Sequence, residues 1–310
     1  MHTFTAMSTT FHTIGLSSVS AGKAESWFSF IERNLSRFLP ESELSSLNRS
    51  EGRPFLASAL LYQAVGVADR YYRETDGLFN PYLGNALIAQ GYSESIEKLR
   101  LDSDRQTADD YCVDMPEEPV ALDRRMMGIR LHPELSLDLG GIAKGWSAEQ
   151  LAGMLRREGV GTGAIDAGGD MVLWGRPAQG WEIGIADPRD GAKNAATLAL
   201  KWPAGIATSS TLKRRWGTKE GVRHHLIDPR TQRPANTDLV QATVLAPSLT
   251  EAEVYAKCLL ILGSEAGIPW LEARKPDLGC VAVNGEGHLF IGGSLNEYAE
   301  IGGGSYAAAI

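Results

Sequence analysis

An acid, a glycine pair and a lysine lie close together at Asp138-Leu139-Gly140-Gly141-Ile142-Ala143-Lys144. Where an extended segment passes through glycines into a helix, backbone N–H groups and the positive end of the helix dipole face outward, and a lysine adds a full charge. A phosphate or diphosphate is the natural guest of such a junction. The same run also suits plain close packing of two backbones, so it needs support from the rest of the chain.

These residues need elements to hold them. Residues 136–139 read as a strand end, and Trp146, Leu151, Met154 and Leu155 recur at helical spacing up to a stop at Gly159. Upstream, residues 4–16 read as one strand. Trp27, Ile31, Leu35 and Phe38 then mark a helix entered at Ser20 or Gly22 and ended by Pro40. Residues 42–48 form a polar segment with two apolar anchors. Residues 57–74 predict a helix too apolar for a surface stripe, hence buried on most sides. Pro81 should hold Asn80 extended.

Downstream, residues 164–175 read as strand, glycine turn, strand, and further strands fit 181–186, 196–202 and 240–246. Lys213, Arg214 and Arg215 follow the hydroxyl-rich block 205–210. Thr250 and Glu253 have capping-box spacing at the head of a helix running to Gly263. Asn284-Gly285 centres a hairpin. Residues 95–118 form an acidic, solvated excursion, and the glycines and alanines after residue 301 a loose tail.

With 310 residues and 43% hydrophobic content the chain buries a large core, and neither a repeat nor a linker divides it, so a single domain over 1–310 is expected. A net charge of -8 argues against an extended nucleic-acid footprint, while a small anion needs only a local basic pocket. Cys112, Cys258 and Cys280 are odd in number and far apart, which points to a reducing compartment and no zinc site. The first residues lack the basic start and apolar run of a leader, and no uninterrupted apolar run approaches about 18 residues. A cytoplasmic protein without a membrane span is the expectation.

Seven blocks in order resemble the ApbE family of flavin transferases: Met7-Ser8-Thr9, Ser36-Arg37-Phe38 with the 42–48 segment, Asp76-Gly77-Leu78-Phe79-Asn80-Pro81, the 137–145 run, Ala167-Gly168-Gly169-Asp170, Ile206-Ala207-Thr208-Ser209 and His225-Leu226-Ile227-Asp228-Pro229-Arg230-Thr231. The resemblance spans nearly the whole chain. It implies an α+β, two-lobed single domain with FAD in the cleft between the lobes. The implied activity is transfer of FMN from FAD to a Ser or Thr hydroxyl of an acceptor protein, with release of AMP. It also implies that Met7, Phe38, Leu78, Phe79, Asn80, Asp138, Lys144 and Ile227 contact FAD, and that His225, Asp228 and Lys257 occupy catalytic positions. Magnesium is the implied metal, held at the positions of Gly141, Glu253 and Ala256.

Two positions depart from the family pattern. Glu253 stands where Asp is usual, and Lys257 where Thr is usual. A protonated lysine has three donors and no acceptor, so it is not a metal ligand. Glu253 and Lys257 also have the spacing of a helical ion pair. Three outcomes follow: Lys257 supplies charge that magnesium otherwise gives, metal binds at a shifted site through Glu253 and the carbonyls of Gly141 and Ala256, or transfer activity is lost. Hydrolysis of FAD to FMN and AMP is a further alternative, and a protein-interaction scaffold without flavin is the alternative of another class.

Overall fold

Period-two burial builds the centre of the molecule. The structure is a computed structural model describing residues 1–99, 101, 105–108, 110–302 and 308–309. In chain order it forms β1 (His2–Ala6), β2 (Thr9–Ile14), α1 (Ser18–Leu35), α2 (Glu43–Asn48), β3 (Phe55–Leu56), α3 (Ala59–Glu74), α4 (Gly84–Ala89), β4 (Val120–Asp123), β5 (Gly128–Leu131) and α5 (Ala143–Arg157). Then come β6 (Gly163–Ala167), β7 (Met171–Trp174), β8 (Trp181–Ala186), β9 (Asn194–Leu200), β10 (Gly205–Ser210), β11 (Arg215–Thr218), β12 (Gly221–His224), β13 (Ile227–Asp228), β14 (Arg233–Pro234) and β15 (Leu239–Ala246). The chain closes with α6 (Leu249–Arg274), β16 (Gly279–Asn284), β17 (Leu289–Gly293), α7 (Leu295–Tyr298), β18 (Ala299–Gly302) and β19 (Ala308–Ala309).

The main sheet has the order β1-β2-β6-β7-β10-β15-β16-β17-β19, antiparallel except for the last pair. Successive side chains of a strand point to opposite faces. Accordingly Ile165, Ala207, Val244 and Ala282 pack toward the helices, while Ala164, Ile206, Leu245 and Val281 pack toward a second, three-stranded sheet of β8, β9 and β18. A one-residue slip in register would invert both layers. Helix α6 lies across β10 and β15, α5 packs on α6, and α1 packs on α5. Burial on most sides explains why α6 is apolar; it is long and apolar enough to cross a membrane, yet more than half of its most apolar window is buried in the protein.

Several local expectations change. The strand expected over residues 4–16 is a hairpin, because Met7 and Ser8 both adopt left-handed backbone (φ 50° and 57°) and fold β1 back on β2. Residues 136–139 form no strand beyond a single bridge between Leu83 and Ser136. The polar segment is helix α2, capped by the Ser42 hydroxyl on the Ser45 N–H and anchored by buried Leu44 and Leu47. Helix α3 buries one face only, with Gln63, Arg70 and Arg73 in solvent. The cap of α6 is Ser248, which accepts from the Glu251 N–H; Thr250 instead donates to Glu149. The break expected at Gly263 is present as a kink (φ 81°), after which the helix resumes.

The glycine turn between β6 and β7 and the stop at Gly159 are as expected, with positive φ at Gly168, Gly169 and Gly159. In the acidic excursion Asp110, Asp114, Glu117 and Glu118 are exposed, whereas Asp102, Asp104 and Asp109 lie outside the described residues. At the C-terminus Ala299–Gly302 pairs with β9 and Ala308–Ala309 with β17, so Gly302 and Ala308–Ala309 of the expected loose tail lie in strands.

One glycine fixes how close α6 can approach the sheet. A Cβ on Gly205 would fall on the backbone of Leu249, the first residue of α6. Backbone cannot yield as a side-chain tip can. Gly205→Ala is therefore expected to cost about 1–3 kcal/mol, read as a lower denaturant midpoint; an unchanged midpoint would show that α6 moves freely on β10.

Candidate active site

A cleft of ≈ 100 Å³ opens where five parts of the chain meet: the Met7-Ser8 turn, the end of α1 with Arg37 and Phe38, the Asp138–Lys144 turn into α5, the Arg214 and His225 segments, and Lys257 on α6. Leu35, Leu87, Tyr92, Leu139 and Ala143 complete its apolar wall. Its charges are largely paired internally.

Lys144 is buried, and its amine donates to Asp170 Oδ2 at 2.5 Å and to Glu253 Oε1 at 2.7 Å. Burial alone would lower the lysine's pKa, but Asp170 and then Glu253 outweigh it and raise it. The second oxygen of Glu253 accepts from the Gly145 N–H at 2.7 Å. An anion therefore already sits at the N-terminus of α5, and it comes from α6. Three other N–H groups at this junction are also engaged, since Gly140 donates to Asp138 Oδ1 and Ile142 and Ala143 donate to the Leu139 carbonyl; the Gly141 N–H is not among them. The anion-accepting junction expected from the sequence thus already holds one of the protein's own carboxylates, at the Gly145 N–H.

Asp138 pairs with the Arg37 guanidinium, which also donates to the Tyr92 carbonyl. Burial pushes the Asp138 carboxyl up, and Arg37 overrides it and holds the group below the usual carboxylate range. Arg37 stands over the ring of Phe38 at 4.1 Å and of Tyr92 at 5.0 Å, so the guanidinium is fixed between aromatic faces as well. Sequence reasoning gave no role to Arg37, Asp170, Tyr92 or Arg214, although Arg37 and Asp170 stand inside the matched blocks and Arg214 just follows one.

Lys257 is different. It makes no hydrogen bond or ion pair among the described residues, and its nearest aromatic neighbour is Phe79, with the amine 5.8 Å from the ring centroid. The end of the side chain lies against the Cα of Gly141, in space that any Cβ there would take. The helical ion pair with Glu253 expected from the spacing is not formed, because Glu253 is held by Lys144 and Gly145. Burial lowers the Lys257 pKa, with Asp138 and Glu253 partly opposing.

His225 lines the cleft with its Nδ1 enclosed and without a partner. Burial, then Arg214 and Lys257, depress its pKa well below 6.5, so the ring is neutral at pH 7. The expected FAD contacts divide. Met7, Phe38, Asp138 and Lys144 line the cleft. Leu78 and Phe79 are buried in the core outside its lining, Ile227 packs in a cluster with Leu83, Leu87 and Trp216, and Asn80 accepts from the Tyr82 N–H in a tight turn. Asp228 is buried and is claimed by Arg230 through its backbone N–H and guanidinium, away from the cleft wall.

The residues implied for magnesium do not fit a divalent ion. The lysine amine lies against Gly141, both Glu253 oxygens are engaged, and Ala256 lies in the continuous part of α6 where carbonyls bond within the helix. Among the described residues no three His, Cys, Asp or Glu side chains converge as metal ligands would.

Comparison with known proteins bears on this arrangement. The family model described as the ApbE family matches residues 1–282. The FAD:protein FMN transferase of Vibrio cholerae serotype O1 is 28% identical over 249 residues, covering 79% of this chain and 74% of that protein. The enzyme of the same name from Escherichia coli K12 is 25% identical over 268 residues, covering 83% and 74%. Among solved structures, the ApbE protein of Thermotoga maritima superposes with a TM-score of 0.81 at 21% identity, over 96% of this chain and 98% of that one. The flavin transferase ApbE of Vibrio cholerae gives 0.75 at 23%, over the same shares. These structures show that the α+β fold is shared. Because the family match runs from the β1–β2 hairpin into β16, and so takes in every segment that meets at the cleft, the chain belongs to the ApbE family.

Proposed function

We propose that this chain transfers FMN from FAD to a Ser or Thr hydroxyl of an acceptor protein, releasing AMP. The relatives are named FAD:protein FMN transferases, and the observation that supports the reading here is a neutral, unpartnered His225 sharing one cleft with the amine of Lys257. The acceptor oxygen attacks the FMN phosphorus and its proton passes to the His225 imidazole. The bond between that phosphorus and the bridging oxygen breaks, and AMP leaves with the electron pair. The protein's work is placement and charge compensation.

Each wall of the cleft has a part in this reading. Half-buried Phe38 offers a flat surface for a flavin ring, backed by Arg37, which Asp138 locks and which Tyr92 packs against. The Lys144–Asp170–Glu253 cluster holds α5, α6 and the β6–β7 turn together below the site. Asp228 and Arg230 shape the segment that carries His225.

The test mixes the protein with FAD and a flavin-accepting protein fragment and views the products on a denaturing gel by flavin fluorescence. A fluorescent acceptor and an equal yield of AMP are expected. Free FMN with an unlabelled acceptor would replace transfer by hydrolysis, and no FAD binding at all would remove the flavin reading.

A further inference from the structure

The cleft floor carries three cations and three carboxylates, and their pairing is uneven. Arg37 belongs to Asp138, and Lys144 is shared by Asp170 and Glu253. Lys257 is left over. Its amine opens into the cleft, pressed on Gly141, and no carboxylate oxygen of the described residues stands within ion-pair distance. A half-buried ammonium without a carboxylate partner favours an anion that completes it. Arg214, in left-handed backbone (φ 49°), lines the same cleft and likewise makes no ion pair among the described residues. A dianionic diphosphate meets both unpaired cations while every carboxylate at the floor is already held. A divalent metal meets the reverse: an ammonium in its path, and Glu32 on the α1 wall as the one lining carboxylate not engaged among the described residues.

We propose that Lys257 is the resident cation of the diphosphate site, with Arg214 beside it, and that this chain binds and cleaves FAD without a divalent metal. This rests on the transfer reading above and specifies it. The amine of Lys257 pairs with the non-bridging oxygens of the diphosphate. As the acceptor oxygen bonds to the FMN phosphorus, the bond to the bridging oxygen breaks, and the charge that gathers on the departing AMP phosphate is met by Lys257. Gly141 is glycine so that the lysine can lie flat across its Cα.

Two measurements on the full chain test this. FAD affinity is measured by quenching of flavin fluorescence, and transfer by acceptor labelling, in chelator and in millimolar magnesium. For the unchanged protein the two buffers should agree within about two-fold, whereas an enzyme whose charge is carried by a metal loses far more. Lys257→Thr should weaken FAD binding in chelator by about ten-fold or more. It should melt no lower than the parent without FAD, because an unpaired charge has been removed. The proposal is overturned if the parent loses ten-fold or more in chelator and recovers with magnesium, or if Lys257→Thr binds FAD as the parent does in chelator.

The fate of the transfer reading shows separately. Binding without labelling or AMP release refutes transfer while the affinities still judge Lys257. No binding in either buffer overturns both.

Discussion

Replacing Lys144 by Met is expected to destabilise the protein by about 3–5 kcal/mol, the usual consequence of removing one partner from a buried charge cluster. Met keeps most of the side-chain volume, so the loss reports charge and not a cavity. Without the ammonium, Asp170 and Glu253 face one another as buried like charges with only backbone donors left to them: the Thr208 N–H on Asp170 and the Gly145 N–H on Glu253. Denaturant unfolding monitored through the tryptophans measures the effect, and adding Glu253→Gln to Lys144→Met should recover part of it, since the two sites are in contact. Because the folded pKa of Lys144 is raised above 10.5, this contribution is complete at neutral pH and disappears only as pH climbs through that higher value. Unchanged stability together with collapsed FAD binding would return Lys144 to the role of a direct diphosphate ligand, which its sequence position suggested.

Changing His225 to Ala should slow transfer by about 10²–10⁴-fold, the range associated with a positioned general base. FAD affinity should change little, because the imidazole meets a travelling proton and supplies no fixed charge to the diphosphate. The pH dependence has a definite sign. His225 is neutral in the folded protein well below pH 6.5, so transfer should hold steady as pH falls through 6.5 and decline only further down. Stability behaves differently. An unfolded chain binds a proton at this residue near its ordinary pKa of about 6.5 while the folded chain does not, so stability falls as pH drops below that value and levels off below the depressed folded pKa. His225→Ala should flatten that slope. Transfer by the variant at the parental rate would exclude His225 from the proton path, and an inflection of transfer at pH 6.5 would show the ring to be solvated.

Much of the fold was legible locally. The spacing of Trp27, Ile31 and Leu35 gave α1, Gly159 ended α5 in the left-handed region, and the Gly168-Gly169 pair turned β6 into β7. Each depends on residues near one another in sequence, where steric limits on backbone and side-chain direction act. Local reasoning failed where two signals competed. Met7 and Ser8 are not residues that announce a turn, so a hairpin read as one strand. Thr250 and Ser248 both offered a hydroxyl to α6; Glu149, far earlier in the chain, accepts from both, and Ser248 alone also accepts from the Glu251 N–H as the cap.

The amino-acid sequence determined which chemical groups this protein brings to its cleft: His225, the lysines at 144 and 257, the acids at 138, 170 and 253, and the glycine at 141 that admits no side chain. Only the tertiary structure decided which of those charges neutralise one another. Lys144 meets Glu253 across 109 positions of chain and Arg37 meets Asp138 across 101, and no periodicity extends that far. Coulomb energy depends on separation in space and on the water excluded between the partners. The packing of α5 on α6 sets both, so it spends the charge of Lys144 inside the protein and leaves that of Lys257 for a ligand.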